Sequence, residues 1–132
     1  SFEGTIMRLL THNYLQSNVK GTTKGYPLII EPDEVVVEES PLDKALLLKM
    51  IAKLDYPCLL RAAQQLSTKC SLPDLPTEMP LDRDLDDTTL MNLHRVLFDV
   101  HLIEGHLVCP DTGRKFPVKE GIPNMILHED EV

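Results

Sequence analysis

Five residues near the end of the chain, Cys109-Pro110-Asp111-Thr112-Gly113, have the form of half a zinc knuckle. A cysteine followed by a tight glycine-closed turn is how a C-x2-C loop presents two thiolates to one metal. Here Thr112 stands at the second ligand position, and a neutral hydroxyl is a poor substitute for a thiolate. A structural zinc site needs four ligands, usually Cys or His. Cys58 and Cys70 lie in or beside a helical stretch and read as small buried hydrophobes. His12, His94, His101, His106 and His128 are scattered along the chain, so no bound metal is expected. A thiol–imidazole pair, Cys109 with His106, is the next candidate chemistry. On a strand, positions i and i+3 point to opposite faces, so the two should not meet. No nucleophile elbow, phosphate-cradling glycine loop or dinucleotide fingerprint is present. His94 and His101, seven apart, flank a buried helical stripe. Asp82, Asp84, Asp86 and Asp87 lack EF-hand spacing and read as linker and helix-capping acids. Catalysis by this chain is not expected.

The stretch after the knuckle, "GIPNMIL" (121–127), is a different kind of candidate. Ile122, Met125, Ile126 and Leu127 are more apolar than a solvent-facing terminal strand should be. Alternation along a strand leaves either Ile122 and Ile126, or Met125 and Leu127, on the outer face. Two covers are open: the chain's own helices, or a partner that adds a strand.

These residues need elements to position them. "YPLII" (26–30) and "EVVVEE" (34–39) are β-rich runs separated by Glu31, Pro32 and Asp33, which reads as a hairpin or two adjacent strands. Ser40-Pro41-Leu42-Asp43 announces a helix over 42–54, with Ser40 as cap and Pro41 in the first turn. Asp55 caps a second helix, 56–67, with Leu59, Ala62, Ala63 and Leu66 on one side. Prolines 73, 76 and 80 make 70–87 an acidic linker. Leu90, Leu93, Leu97 and Val100 form one stripe of a third helix, roughly 86–102. "IEGHLVCP" and "KFPVKEGIPNMIL" close the chain as short strands joined at Thr112-Gly113. Strands at both ends and helices between them predict an α+β fold, with one antiparallel sheet built from both ends of the chain.

The bulk numbers agree with one small domain, or one with an insertion. The chain has 132 residues, is 42% hydrophobic and 26% charged, and lacks tryptophan. Its net charge of −8 argues against a free-standing nucleic-acid binder, which must neutralise phosphates with Lys and Arg. Three widely spaced cysteines do not make a disulfide framework, which suggests a reducing compartment. No apolar run reaches membrane-span length. Residues 1–6 precede Met7 and read as a vector-derived remnant, without a signal-peptide pattern.

"MRLLTHNYLQSNVKG" and "EGHLVCPDTGRKFPVKEGIPNMILHEDEV" resemble the two ends of the multifunctional methyltransferase subunit family. These are small activators shared by several tRNA, rRNA and release-factor methyltransferases. The resemblance spans residues 7–132 and is most specific at its ends. It implies a zinc-ribbon-like, discontinuous domain (7–39 plus 103–132) with an inserted helical domain (40–102). It places the zinc ligands of some members at Ser17, Thr22, Cys109 and Thr112, of which one can ligate. It implies a non-catalytic subunit that forms heterodimers with class I S-adenosylmethionine-dependent methyltransferases. The methyl donor would sit in the partner, RNA would be met only through that partner, and the setting would be cytoplasmic and nuclear. The expected contact residues are Leu10, Asn13, Tyr14, Phe116, Ile122, Pro123, Asn124 and Met125, with Arg114 and Lys115 as candidates for touching RNA. The competing expectation is a free-standing zinc-ribbon-like nucleic-acid adaptor.

Overall fold

Pro32 decides the shape of the first strand. In the computed structural model, which describes residues 7–81 and 85–132, the two β-rich runs are not a hairpin but one strand, β1 (Ile29–Val37). Its antiparallel partner is β2 (Val100–Val108), from Ile29 opposite Val108 to Val37 opposite Val100. Pro32 and Asp33 sit in an irregularity where the register shifts, so the missing proline N–H bends the strand without ending it. Gly105 lies opposite Pro32, and a Cβ there would be 2.4 Å from the Glu31 carbonyl oxygen. The expected remnant at 1–6 and the linker acids Asp82 and Asp84 lie outside the described residues.

The sheet continues through β3 (Lys115–Lys119) to β4 (Ile122–Pro123), giving the order β1-β2-β3-β4. Glu120 and Gly121 make the tight turn between the last two, with φ of 52° and 77°. The strand expected to run to Leu127 stops at Pro123. Pro123 has no N–H to donate, and the Asn124 side chain accepts from the Ile126 N–H at 3.0 Å, bending the chain off the ladder. The start of the described chain joins the same sheet. Leu102 N–H donates to the Met7 carbonyl at 2.9 Å, and Met7 N–H donates to the Gly121 carbonyl at 2.7 Å.

One helical turn, α1 (Leu9–His12), follows Met7. Between β1 and β2 come α2 (Lys44–Ile51), α3 (Tyr56–Leu66) and α4 (Asp87–His94). The cap of α2 is Asp43, which accepts from Leu46 N–H at 3.1 Å, rather than Ser40 as the sequence suggested. Asp55 caps α3 and Asp86 caps α4 in the same way, at 3.1 and 2.8 Å. The third helix is shorter than its stripe implied. It passes into a π turn (Arg95–Asp99) and becomes strand at Val100. The β-branched Val100 and Ile103 suit the ladder, while the stripe residues Leu90, Leu93, Leu97 and Val100 are all buried as expected. Across the linker, the Tyr56 hydroxyl donates to the Pro76 carbonyl at 2.6 Å and holds the proline-rich segment against α3. Leu47, Leu59, Leu66, Leu93 and Leu97 meet Ile30, Leu102, Leu107, Phe116 and Val118 in one continuous apolar core. No helix among the described residues is long and apolar enough to cross a membrane.

Candidate partner-binding surface

The knuckle is held by hydrogen bonds. Gly113 N–H donates to the Cys109 carbonyl at 3.0 Å, and Cys109 N–H donates to the Arg114 carbonyl at 2.9 Å. Gly113, at φ 78°, supplies the left-handed position that the turn needs. Cys109 and Ser17 are buried, at 1% and 4% exposure. Thr22 Oγ1 lies 3.8 Å from Cys109 Sγ, and Thr112 N–H donates to that sulfur at 3.4 Å. Burial pushes the Cys109 thiol up, but hydrogen bonds from Ser17, Thr112 and Asp111 bring it down to about 6. Ser17, Thr22 and Thr112 thus gather at Cys109. One sulfur and three hydroxyls do not fit a structural zinc, and no group of three His, Cys, Asp or Glu gathers to hold a metal among the described residues. His106, on the face of β2 opposite buried Leu107, is half-exposed, whereas Cys109 is buried.

What joins the knuckle to the loop at 17–27 is a carboxylate. Asp111 Oδ2 accepts from Thr23 N–H at 2.6 Å, Thr23 Oγ1 at 2.9 Å and Lys24 N–H at 3.2 Å. These donors stabilise the charged form and hold the Asp111 carboxyl below the usual carboxylate range. No local pattern announced Asp111, because its partners lie far away in sequence.

A second hub secures the end of the chain. The Arg114 guanidinium meets Glu131 at 2.6 and 3.1 Å, reaches the Lys115 carbonyl and the Ile126 carbonyl, and lies 4.7 Å above the Phe116 ring. The ion pair holds the Glu131 carboxyl down to about 2 and raises Arg114. Lys20 N–H donates to the Glu131 carbonyl at 2.7 Å, so the final 3-10 turn (Glu129–Glu131) is fastened to both loops. Arg114, expected as a candidate for RNA, is committed inside the chain. Lys115 pairs with Glu31 at 3.0 Å.

The eight expected contact residues divide. Ile122 and Tyr14 are exposed, at 43% and 54%, and Asn124 is exposed beside Ile122. Pro123, Met125 and Leu10 are half-buried, the latter two packed on the core. Phe116 and Asn13 have no free side-chain surface, which corrects their placement at a contact. Phe116 is fully buried, since its position on β3 points inward. Asn13 spends its amide on α3, donating to the Asp55 carbonyl at 2.8 Å and accepting from the Asp55 N–H at 2.9 Å. Ile126, at 75% exposure, was not among the expected contacts, although strand alternation had paired it with Ile122. β4 is the last strand in the sheet order; Ile122 stands out of it, and Ile126 is exposed just beyond the bend that ends it. An exposed edge carrying branched apolar side chains is a template for another strand.

One cluster was invisible to spacing. Ser40, His94 and Asp99 meet where β1 ends. Ser40 Oγ donates to Asp99 Oδ1 at 2.6 Å and lies 3.1 Å from His94 Nε2, and that same nitrogen is 3.5 Å from Asp99 Oδ1. A nucleophile relay uses the two imidazole nitrogens for hydroxyl and carboxylate separately. Here one nitrogen faces both and the hydroxyl is already given to the carboxylate, so the cluster is a structural link.

A family model described as Trm112p-like protein matches residues 8–121. The chain is 46% identical over 128 residues to the Arabidopsis thaliana multifunctional methyltransferase subunit TRM112 homolog A, covering 96% of this chain and 100% of that one. It is 39% identical over 126 residues to the mouse multifunctional methyltransferase subunit TRM112-like protein, covering 95% and 98%. Among solved structures it resembles a chain of the E. cuniculi Mtq2-Trm112 complex, described as responsible for methylation of the eRF1 translation termination factor. The TM-score is 0.59 at 15% identity, over 91% of this chain and 95% of that chain, which is a likeness of fold.

Proposed function

The chain belongs to the Trm112p-like protein family, and from that premise we propose that it is a non-catalytic subunit that binds, stabilises and activates S-adenosylmethionine-dependent methyltransferases. The observation that carries this reading is the 46% identity to a methyltransferase subunit over 96% of this chain. The fold shared with a chain of a methyltransferase complex supports it. The β4 edge supports it physically. Main-chain pairing depends little on side-chain identity, so one edge can serve several enzymes. A partner that binds only the folded state also stabilises it by mass action.

On this reading the substrates of the assembled enzymes are tRNA, rRNA and release factor, and the heterodimers work in cytoplasm and nucleus. The methyl donor binds in the partner. Residues 7–39 with 103–132 form a zinc-ribbon-like unit carrying the contact edge, and 40–102 are the inserted helical part. The knuckle works without metal, with the Asp111 clasp in its place. Metal analysis of the purified chain checks this last point, and stoichiometric zinc would overturn it.

Co-expression with candidate methyltransferases followed by size-exclusion chromatography tests the central reading. If no methyltransferase is solubilised or co-elutes, the reading fails. Ile122→Asp is the sharper probe. Ile122 is 43% exposed, so a charge there leaves the isolated fold intact, while burying it in an interface costs about 2 kcal/mol or more. The expected outcome is unchanged circular dichroism with co-elution lost.

A further inference from the structure

Ser40 is freed from the capping role that its sequence context suggested, and the structure gives its hydroxyl another task. Residues 38–46 are all exposed, and 38–43 have no regular secondary structure. Ser40-Pro41 is the sole Ser/Thr-Pro dipeptide in the chain. Proline after serine holds that serine's backbone extended, the form in which a peptide lies along a kinase groove.

Its contacts give a modification there a consequence. Ser40 N–H and Oγ both donate to Asp99 Oδ1, at 3.1 and 2.6 Å. Asp99 is only 4% exposed, and Glu38 N–H donates to its carbonyl at 2.8 Å. Asp99 closes the π turn and precedes β2, so these bonds fasten the end of β1 to the junction of α4 and the sheet. A cavity of about 350 Å³ opens beside the link, lined by Leu42, Met91, Asn92 and Arg95 among others. Arg95 is already turned to Glu39, at 3.7 Å.

We propose that Ser40 is a phosphorylation site for a proline-directed protein kinase, and that the phosphate unfastens the end of β1 from Asp99. The kinase transfers the γ-phosphoryl group of a nucleoside triphosphate. The Oγ–P bond forms as the bridging bond to the β-phosphate breaks, the hydroxyl proton passes to the kinase's base, and a nucleoside diphosphate leaves. Ser40 thereby loses its side-chain donor and gains a charge of about −1.5 to −2 next to a poorly solvated carboxylate. Glu39 beside it adds to the repulsion, and the one facing imidazole, His94 at 3.1 Å from the hydroxyl, is already shared with Asp99 at 3.5 Å. Relief comes by rotating residue 40 outward to solvent, where residues 38–46 already lie, which breaks both bonds to Asp99.

The test takes the full chain, a recombinant mitogen-activated protein kinase and magnesium-ATP, with sites mapped by mass spectrometry. One phosphate on Ser40, absent from Ser40→Ala, is expected. In a second arm phosphoserine is installed at position 40 during synthesis. Its melting midpoint should fall by about 5 °C and further than that of Ser40→Ala, which loses the bond but adds no charge. Amide exchange should rise at Glu38 and Ser40. No phosphate on Ser40 in the first arm, or a phosphoserine chain that melts no lower than Ser40→Ala, overturns the proposal.

Discussion

Phe116→Ala should remove about 3–5 kcal/mol of folding stability, the range for truncating a fully buried aromatic side chain. Phe116 is 0% exposed and joins the sheet to the helical side of the core. Its loss leaves a void beneath β3 and takes away the surface on which Arg114 lies, 4.7 Å above the ring. The fastening of Glu131 weakens with it, because Arg114 loses the packing that holds its fork in place. Urea unfolding followed by far-ultraviolet circular dichroism reads the effect. A loss below about 1 kcal/mol, combined with loss of partner binding, would return Phe116 to the contact surface where the sequence placed it.

Gly105→Ala should cost about 3 kcal/mol or more. A Cβ at this position meets the Glu31 carbonyl oxygen at 2.4 Å, the Pro32 Cα at 3.2 Å and the Asp33 nitrogen at 3.3 Å. These are backbone atoms of the paired strand, so nothing can rotate aside. β1 must lift from β2 at the one place where Pro32 already removes a ladder hydrogen bond. Alanine at Gly113, where nothing lies within 4 Å, is the contrast: it meets only the positive-φ penalty, about 1 kcal/mol. The same unfolding experiment separates the two. Equal losses would show that the crowding at Gly105 is relieved by small backbone shifts.

Much of this was legible in the residues themselves. Asp55, with a helical stripe after it, gave α3 nearly to the residue, because caps and periodicity are local signals. The Leu90-Leu93-Leu97-Val100 stripe named the right buried faces, yet it did not show that the backbone becomes strand at Val100. Burial alone cannot distinguish a helix from a strand over so few residues. Pro32 read as a turn because the sequence does not show that Gly105 makes room for it. Among the contact residues, strand alternation set Ile122 and Ile126 against Met125 and Leu127 but did not say which pair faces out; burial of Met125 and Leu127 against the core decides it. Asn13 could not be placed, since a polar residue looks solvent-facing until its buried partner, the Asp55 backbone, is known. Asp111 and the Ser40–Asp99 link were hidden for the same reason: both are bonds between residues far apart in the chain.

The pairing of Ile29 with Val108 also sets a timetable. On the ribosome, β1 is complete long before any residue of β2 has been made. It must wait unpaired while the whole helical segment is synthesised, and contacts this distant in sequence close slowly even then. A bare strand of valines and isoleucines in that interval invites association with other nascent chains. Glu31, Asp33 and Glu34 punctuate it, Glu38 follows it, and Pro32 breaks its run of N–H donors. The acidic residues along this strand thus act earliest as guards of an unfinished chain, before there is a sheet for them to decorate.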